Sequence, residues 1–267
     1  MITWNINPII IHIWGPFAIR WYSLFFLLGF VFGTYTFTSM VKKEGKDPSP
    51  YLDTGLFYLI IGTLVGARLG HCFFYEPSYY LTNPLQILQI WRGGLASHGG
   101  YLGCLIALIF LIRKYKELTF FWLSDRVAIL ALFAGACIRM GNLFNSEIIG
   151  RVTDVPWAFI FTRISPLPRH PTQIYEALAM ALSSLLAYLY YRYYKRKPQE
   201  GRILGLCLIL ACSFRLYIEQ FKENQVNFEE DMLFNMGQLL SFPFIALGIF
   251  LFFGFHRKLF PTIKINE

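Results

Sequence analysis

The sequence predicts an all-α, polytopic membrane protein with seven transmembrane helices, and three observations predict it. Its 267 residues are 55% hydrophobic and only 15% charged, whereas a soluble domain carries about 25% charged residues. Apolar stretches near the roughly 20 residues that a bilayer demands of a spanning helix recur along the chain. Those stretches also lack the period-2 alternation of transmembrane strands. Together these exclude an ordinary soluble enzyme, a disordered chain and a barrel.

The first span covers about 17–40. No basic region precedes it and no small-residue cleavage pattern follows, so it is expected to be retained rather than removed as a signal peptide. The second, about 51–75, carries Gly62, Gly66 and Gly70, a double GxxxG expected to pack closely on another helix; Gly29 and Gly33 in the first span read the same way. The third, about 92–112, begins with Arg92-Gly-Gly-Leu-Ala-Ser-His98-Gly-Gly. Each glycine there costs about 1 kcal/mol relative to alanine in a helix, so the cluster is expected to admit a close neighbour. The fourth span, about 120–141, leads into an outer cap of about 142–172, whose Pro156, Pro166, Pro168 and Pro171 predict strand or loop. The fifth (about 173–194), sixth (about 202–221) and seventh (about 234–255) complete a single domain over 1–267.

Charge distribution sets the orientation. Between the spans and at their ends, Lys and Arg number 14 on one side of the membrane and 4 on the other. The rich side holds Lys42, Lys43 and Lys46; Arg113, Lys114 and Lys116; Arg192, Lys195, Arg196, Lys197 and Arg202; and Arg257, Lys258 and Lys264. By the positive-inside rule that side is cytoplasmic, which puts the N-terminus outside and the C-terminus inside. The net charge of +8 is thus a topology signal, and no nucleic-acid partner is expected. Cys72, Cys104, Cys137, Cys207 and Cys212 all fall in spans without a CxxC, which predicts packing rather than disulfides or zinc.

A charge in hydrocarbon costs about 2.5–3.5 kcal/mol on insertion scales, so each intramembrane ionisable group is a functional candidate. With the orientation fixed, Arg20, Tyr22, Arg68, His71, Arg92, His98, Arg139, Asn142, Glu176, Arg215 and Glu219, from six spans, fall in one outer-leaflet layer. Toward the inner side lie Asp53, Asp125 and Arg126, near helix ends where they can snorkel. Each arginine alone can be an interfacial anchor or half of an ion pair, and Arg215 with Glu219 at i,i+4 can neutralise each other. As a layer, the excess of arginine over carboxylate predicts an anionic partner, because the guanidinium fork matches a pair of phosphate oxygens. A phospholipid headgroup of the outer leaflet is the natural ligand.

Arg139-Met-Gly-Asn142-Leu-Phe-Asn145-Ser-Glu147-Ile-Ile-Gly150-Arg151 closely resembles the R-x-G-N-x-x-N-x-E-x-x-G signature of the bacterial phosphatidylglycerol–prolipoprotein diacylglyceryl transferases. Arg20-Trp-Tyr22, Gly93-Gly-Leu-Ala-Ser-His98-Gly-Gly, His170-Pro-Thr-Gln-Ile-Tyr-Glu176 and Phe214-Arg215 followed by Glu219 match further blocks of that family in the same order. The resemblance covers the whole chain. It implies an inner-membrane enzyme that moves the sn-1,2-diacylglyceryl group of phosphatidylglycerol onto the lipobox cysteine of preprolipoproteins. Glycerol 1-phosphate is released, with no cofactor or metal. The family's tyrosine four residues before the span-six arginine is Ala211 here, so another group, Tyr217 or Tyr22, takes its place.

Such a transfer needs a thiolate, charge stabilisation on the departing phosphate, and alignment. His98 is the expected general base, since imidazole titrates near neutrality and the flanking glycines, Gly99 among them, admit a peptide. The resemblance points to the same histidine. Arg139 is the expected phosphate clamp, and Arg215 the second cation and leaving-group stabiliser. Asn142, Asn145 and Glu147 bind headgroup hydroxyls or brace Arg139, Tyr22 orients lipid or base, Gly150 permits a turn, and Glu219 positions Arg215. A transporter of anionic lipid is the main alternative, but a polar layer at one depth is not a path across the membrane and no inverted repeat is visible. An intramembrane protease would need a Ser/His pair, an aspartate dyad or a metal motif, and none occurs in the spans.

Overall fold

A computed structural model describes residues 1–14, 17–90, 93–195, 198–223 and 234–255. Arg92 of the expected polar layer, and Arg196, Lys197, Arg257, Lys258 and Lys264 of the basic clusters, lie outside these residues. In chain order the elements are strands β1 (Ile2–Trp4), β2 (Ile9–Trp14) and β3 (Phe17–Arg20), helices α1 (Trp21–Lys43), α2 (Ser49–Phe74), α3 (Pro77–Thr82), α4 (Ser97–Lys114) and α5 (Phe120–Asn145), strands β4 (Phe159–Phe161) and β5 (Pro168–Arg169), and helices α6 (Thr172–Tyr193), α7 (Arg202–Ile218) and α8 (Met236–Phe252). Helices α1, α2, α5, α6, and α7 with its closing 3-10 turn to Phe221 are each long and apolar enough to cross a bilayer, whereas α8 is apolar but shorter. The chain is a multi-pass membrane protein.

Each expected span coincides with a helix, and the ends differ for local reasons. Residues 17–20 are not helical. The β-branched run Ile9-Ile-Ile-His-Ile-Trp14 favours extended backbone and pairs antiparallel with β3, setting Ile9 opposite Arg20. The third span starts at Ser97 rather than 92, because Gly93 and Gly94 adopt positive φ of 85° and 73°, which ends any helical path through them. The fourth runs on to Asn145, so the first half of the signature block is helical and the cap begins later than expected. Outside the spans the chain is not all-α: five short strands appear, two of them in the cap.

The chain divides into two compact units, residues 1–40 with 125–267, and residues 41–124. In the first, β1 runs parallel to β4, and β4 antiparallel to β5. This small sheet rests on the end of α5, where Leu143, Phe159 and Phe161 form a core with Trp4, Met140, Ile149 and Ile174. Toward the other end of the helices, Met40, Ile129, Ala187, Tyr191, Ile203 and Cys207 form a second core. Beside it, Asp125 accepts hydrogen bonds from the Gly201 and Leu204 amides at 2.8 Å each, capping the orphan donors at the start of α7. Asp125 and Arg126 therefore do not snorkel as expected. Asp125 is 0% and Arg126 3% exposed, and the Arg126 guanidinium lies over the Tyr191 ring. The described cysteines are all free thiols.

The second unit is built on α2 and α4. A Cβ on Gly62 would stand 2.6 Å from the Gly103 carbonyl oxygen, and one on Gly70 would stand 2.8 Å from the Gly99 Cα. The double GxxxG of α2 therefore meets the glycines of α4 backbone to backbone, the close packing its spacing predicted.

Candidate functional site

In the first unit, the last turns of α5 bring Arg139, Asn142 and Asn145 to one helix face at spacings of three. The chain then turns sharply through Ser146 (φ 57°) and Ile148 (φ 56°), a left-handed conformation that is a genuine outlier for a β-branched residue. The turn swings Glu147 back: Asn142 Nδ2 donates to Glu147 Oε2 at 2.9 Å and Asn145 Nδ2 to Glu147 Oε1 at 3.1 Å. The first turn of α6 holds the loop in place. Gln173 Nε2 donates to the Glu147 carbonyl at 2.5 Å, and Thr172 Oγ1 to the Ile148 carbonyl at 2.9 Å.

A chain of alternating charge joins α5, α6 and α7. Arg139 Nε lies 3.1 Å from Glu176 Oε2, and Lys222 Nζ lies 2.8 Å from Glu176 Oε1 and 3.1 Å from Glu219 Oε2. Arg215 Nε approaches Glu219 Oε2 at 3.9 Å. Glu176, Glu219 and Lys222 are buried, with side chains 4%, 8% and 5% exposed, while the Arg215 side chain is 44% exposed. Glu219 also sits where a Cβ on Gly237 would be 2.6 Å from its carboxyl carbon, against the first turn of α8, whose dipole favours a carboxylate. With Glu147 included, three carboxylates meet three cations. Within this cluster the charges balance, and Lys222 is a cation that the expected layer did not include. What distinguishes Arg139 is orientation. Nε faces Glu176 and Nη1 makes only a long 3.5 Å contact to Asn142 Oδ1, so Nη2 meets no acceptor among the described residues.

Tyr22, in the first turn of α1, packs on the same end of α5: a Cβ on Gly141 would lie 2.8 Å from its ring. Arg20 stands apart, exposed at the end of β3. Each cap arginine donates to a backbone carbonyl, and two of them to a side chain as well. Arg163 donates to the Phe144 carbonyl and the Ser146 hydroxyl, Arg151 to the Lys222 carbonyl, and Arg169 to the Gly150 carbonyl and the Glu223 carboxylate. Gly150, expected to permit a turn, does something else. Its φ is ordinary, and a Cβ there would stand 2.6 Å from His170 and 2.7 Å from the Phe221 carbonyl oxygen, so it lets three segments close on one another. His170 shares a 3.2 Å contact between Nδ1 and the Tyr175 hydroxyl, which itself accepts from Trp157 Nε1 at 2.7 Å. Burial pushes the His170 imidazole below its ordinary value.

In the second unit, Arg68 is 3% exposed and fully engaged. Nε donates to the Ile87 carbonyl (2.8 Å), Nη1 to the Gly93 (2.6 Å) and Gly94 (3.2 Å) carbonyls, and Nη2 to the Gln86 carbonyl (2.6 Å). It is a staple for the segment between α3 and α4 rather than an anion ligand. His71 lies 3.7 Å from Glu76, and its ring fills the space that a Cβ on Gly94 would need. His98 is the second residue of α4 and exposed. Its neighbour Gly99 packs on Gly66 and Gly70 instead of leaving room beside the imidazole. Sequence reasoning missed Lys222 and Gln173 as members of the first unit's cluster. The available signal was Lys222 at i+3 from Glu219, one helical turn on, and Gln173 at i−3 from Glu176. Among the described residues, no three His, Cys, Asp or Glu side chains group closely enough to hold a metal ion.

Residues 8–254 match the family model described as prolipoprotein diacylglyceryl transferase. The chain is 46% identical to the phosphatidylglycerol–prolipoprotein diacylglyceryl transferase of Tolumonas auensis, covering 94% of this chain and 96% of that one. It is 44% identical to the enzyme of the same name from Chloroherpeton thalassium (94% and 93% covered), and 41% identical to that of Bacteroides fragilis (96% of each).

Proposed function

Since the chain belongs to the prolipoprotein diacylglyceryl transferase family, we propose that it transfers the sn-1,2-diacylglyceryl group of phosphatidylglycerol to the lipobox cysteine thiol of preprolipoproteins, the first step of bacterial lipoprotein maturation. The thiol sulfur forms a bond to the glyceryl carbon as the bond from that carbon to the phosphate oxygen breaks. The electron pair leaves with glycerol 1-phosphate, and the thiol proton passes to a base. The setting is the bacterial inner membrane, crossed seven times by α1, α2 and α4–α8, with the N-terminus outside. The asymmetry of Lys and Arg between the loops supports that orientation.

The observation that carries this reading is the unfilled fork of Arg139. Glu176 faces its Nε, and the remaining N–H groups suit two oxygens of the lipid phosphate. Arg215, half exposed beside Glu219, supplies a second cation where charge develops on the leaving phosphate. Asn142 and Glu147, bonded to each other, brace Arg139, and Glu219 steadies Arg215. Asn145 Oδ1 is buried without a donor among the described residues and suits a headgroup hydroxyl. Tyr22, packed against Gly141, orients the lipid. His98 takes the thiol proton, a role its exposure in α4 permits and its chemistry suits.

The test uses the purified protein, phosphatidylglycerol vesicles and a lipobox peptide, read by mass spectrometry. A diacylglyceryl mass gain on the peptide with release of glycerol phosphate is expected. Peptide cleavage or an unchanged peptide overturns the reading. His98→Gln should slow transfer by about 10²–10⁴-fold, the usual contribution of a general base; near-normal turnover would remove that assignment.

A further inference from the structure

We infer that Glu176 is a positioning residue for this transfer: it fixes Arg139 through Nε while Lys222 holds the carboxylate's other oxygen. The inference rests on the reading of Arg139 as phosphate clamp. Three observations carry it.

First, Glu176 is one of the most buried carboxylates of the first unit, 4% exposed, and each of its oxygens faces a different cation, Arg139 at 3.1 Å and Lys222 at 2.8 Å. A buried carboxylate costs several kcal/mol of desolvation unless paired, so the arrangement is built rather than incidental. Second, the two contacts differ in kind. Lys222 makes a short contact to Oε1, whereas Oε2 is buried and makes no well-aligned hydrogen bond although Arg139 Nε is within ion-pair distance. Lys222 thus anchors the carboxylate, and Arg139 is steered by its charge without surrendering the fork to it. A carboxylate free of Lys222 would be able to take Arg139 bidentately, the geometry that guanidinium prefers. Third, the surroundings leave Glu176 little freedom. Gln173, one turn earlier on α6, is 0% exposed and bonded to the Glu147 carbonyl, so the same turn of α6 fixes the loop that braces Asn142 and the carboxylate that steers Arg139. Lys222 in turn is shared with Glu219, the partner of Arg215, so one ammonium sets the carboxylates behind both arginines.

Removing the charge should therefore act on the chemical step more than on lipid binding, because orientation toward the departing phosphate is needed most in the transition state. In the vesicle assay, Glu176→Gln should lower kcat by about 10–100-fold while KM for phosphatidylglycerol changes by less than about threefold. Glu176→Asp, which keeps the charge with a shorter reach, should recover part of kcat. The deciding variant is Glu176→Gln with Lys222→Gln, which restores neutrality without restoring the contact to Arg139. Its reference is Lys222→Gln alone, which shares any loss that reaches Arg215 through Glu219. If Glu176 only neutralises Lys222, the double variant is no slower than that reference and the inference is overturned; if it positions Arg139, the double variant is slower. Should Glu176→Gln alone fail to fold, the double variant and Glu176→Asp still decide between these outcomes, since neither leaves Lys222 facing an uncharged partner. Wild-type protein that makes no lipidated peptide defeats the proposed function itself. Wild-type transfer that Arg139→Ala leaves intact defeats the clamp. Transfer that depends on Arg139 but survives Glu176→Gln at full kcat defeats this inference alone.

Discussion

Arg139 and Arg68 present the same guanidinium in the same kind of apolar helix, and the two units use them in opposite ways. Arg68 is encircled by the carbonyls of Gln86, Ile87, Gly93 and Gly94, neutral acceptors that satisfy its donors, and it makes no ion pair with a carboxylate among the described residues. Arg139 meets a carboxylate at Nε and a side-chain amide at long range, which balances its charge and leaves donors over. The first arrangement fixes a loop; the second presents a fork. Glycine also serves in two ways. Gly62, Gly66 and Gly70 bring α2 onto the backbone of α4, and Gly205 and Gly248 bring α7 onto that of α8, whereas Gly141 and Gly237 make room for a side chain, Tyr22 or Glu219. An arginine or glycine in a membrane helix takes its meaning from the chemistry of its neighbours, which its own identity does not specify.

The largest effect that tests this division is on turnover. Arg139→Ala should reduce transfer by about 10²–10³-fold, the scale of losing one preorganised donor to developing charge, with membrane insertion retained and a smaller fall in melting temperature than at Arg68, because Lys222 still pairs Glu176. Arg68→Met should do the reverse. Several buried carbonyls lose their donors, which costs about 1–3 kcal/mol or more of stability and is read as a lowered melting temperature in detergent. An Arg68 variant that kept its melting temperature yet lost transfer would break the comparison and place Arg68 with Arg139. Gly103→Ala should destabilise by about 1–3 kcal/mol, because its Cβ would overlap the Gly62 carbonyl; an unchanged melting temperature would mean the α2–α4 contact is looser than described.

The smallest effect sharpens the account of the cap. His170 has its imidazole held below the ordinary value by burial, so the unfolded chain binds this proton more readily than the folded one. Its contribution to stability is complete above the ordinary histidine value of about 6.5 and is lost as pH falls through the lower folded value. Wild-type protein should therefore lose stability across that acidic window, and His170→Gln should lose less. Equal pH profiles for the two proteins would show that burial of His170 carries no such cost.

Much of the fold was legible because a bilayer imposes long apolar helices on any chain that crosses it. Seven apolar stretches became seven helices, with Pro77–Thr82 as a short addition between the second and third. The ends were less legible. Whether residues 17–20 extend α1 or pair with Ile9–Trp14 depends on a partner strand, and whether Arg139–Asn145 belongs to a helix or to the cap depends on what packs against it. The candidate site could be read as a list of residues but not as a set of bonds. Arg139, Asn142, Asn145, Glu147 and Glu176 do converge, but Lys222 stood outside the expected layer and Gly99 proved to be a packing residue.

Composition and the length of the apolar stretches establish that this chain lives in a membrane and which of its polar residues are costly to place there. Those are one-dimensional facts, free energies of transfer summed along a helix. Only the tertiary structure decided which cation faces which carboxylate, which arginine keeps a free edge, and which glycine admits a backbone and which a side chain. Such pairings join residues as far apart as Arg139, Glu176 and Lys222, and electrostatic contacts depend on separations of a few ångströms that spacing along the chain does not fix.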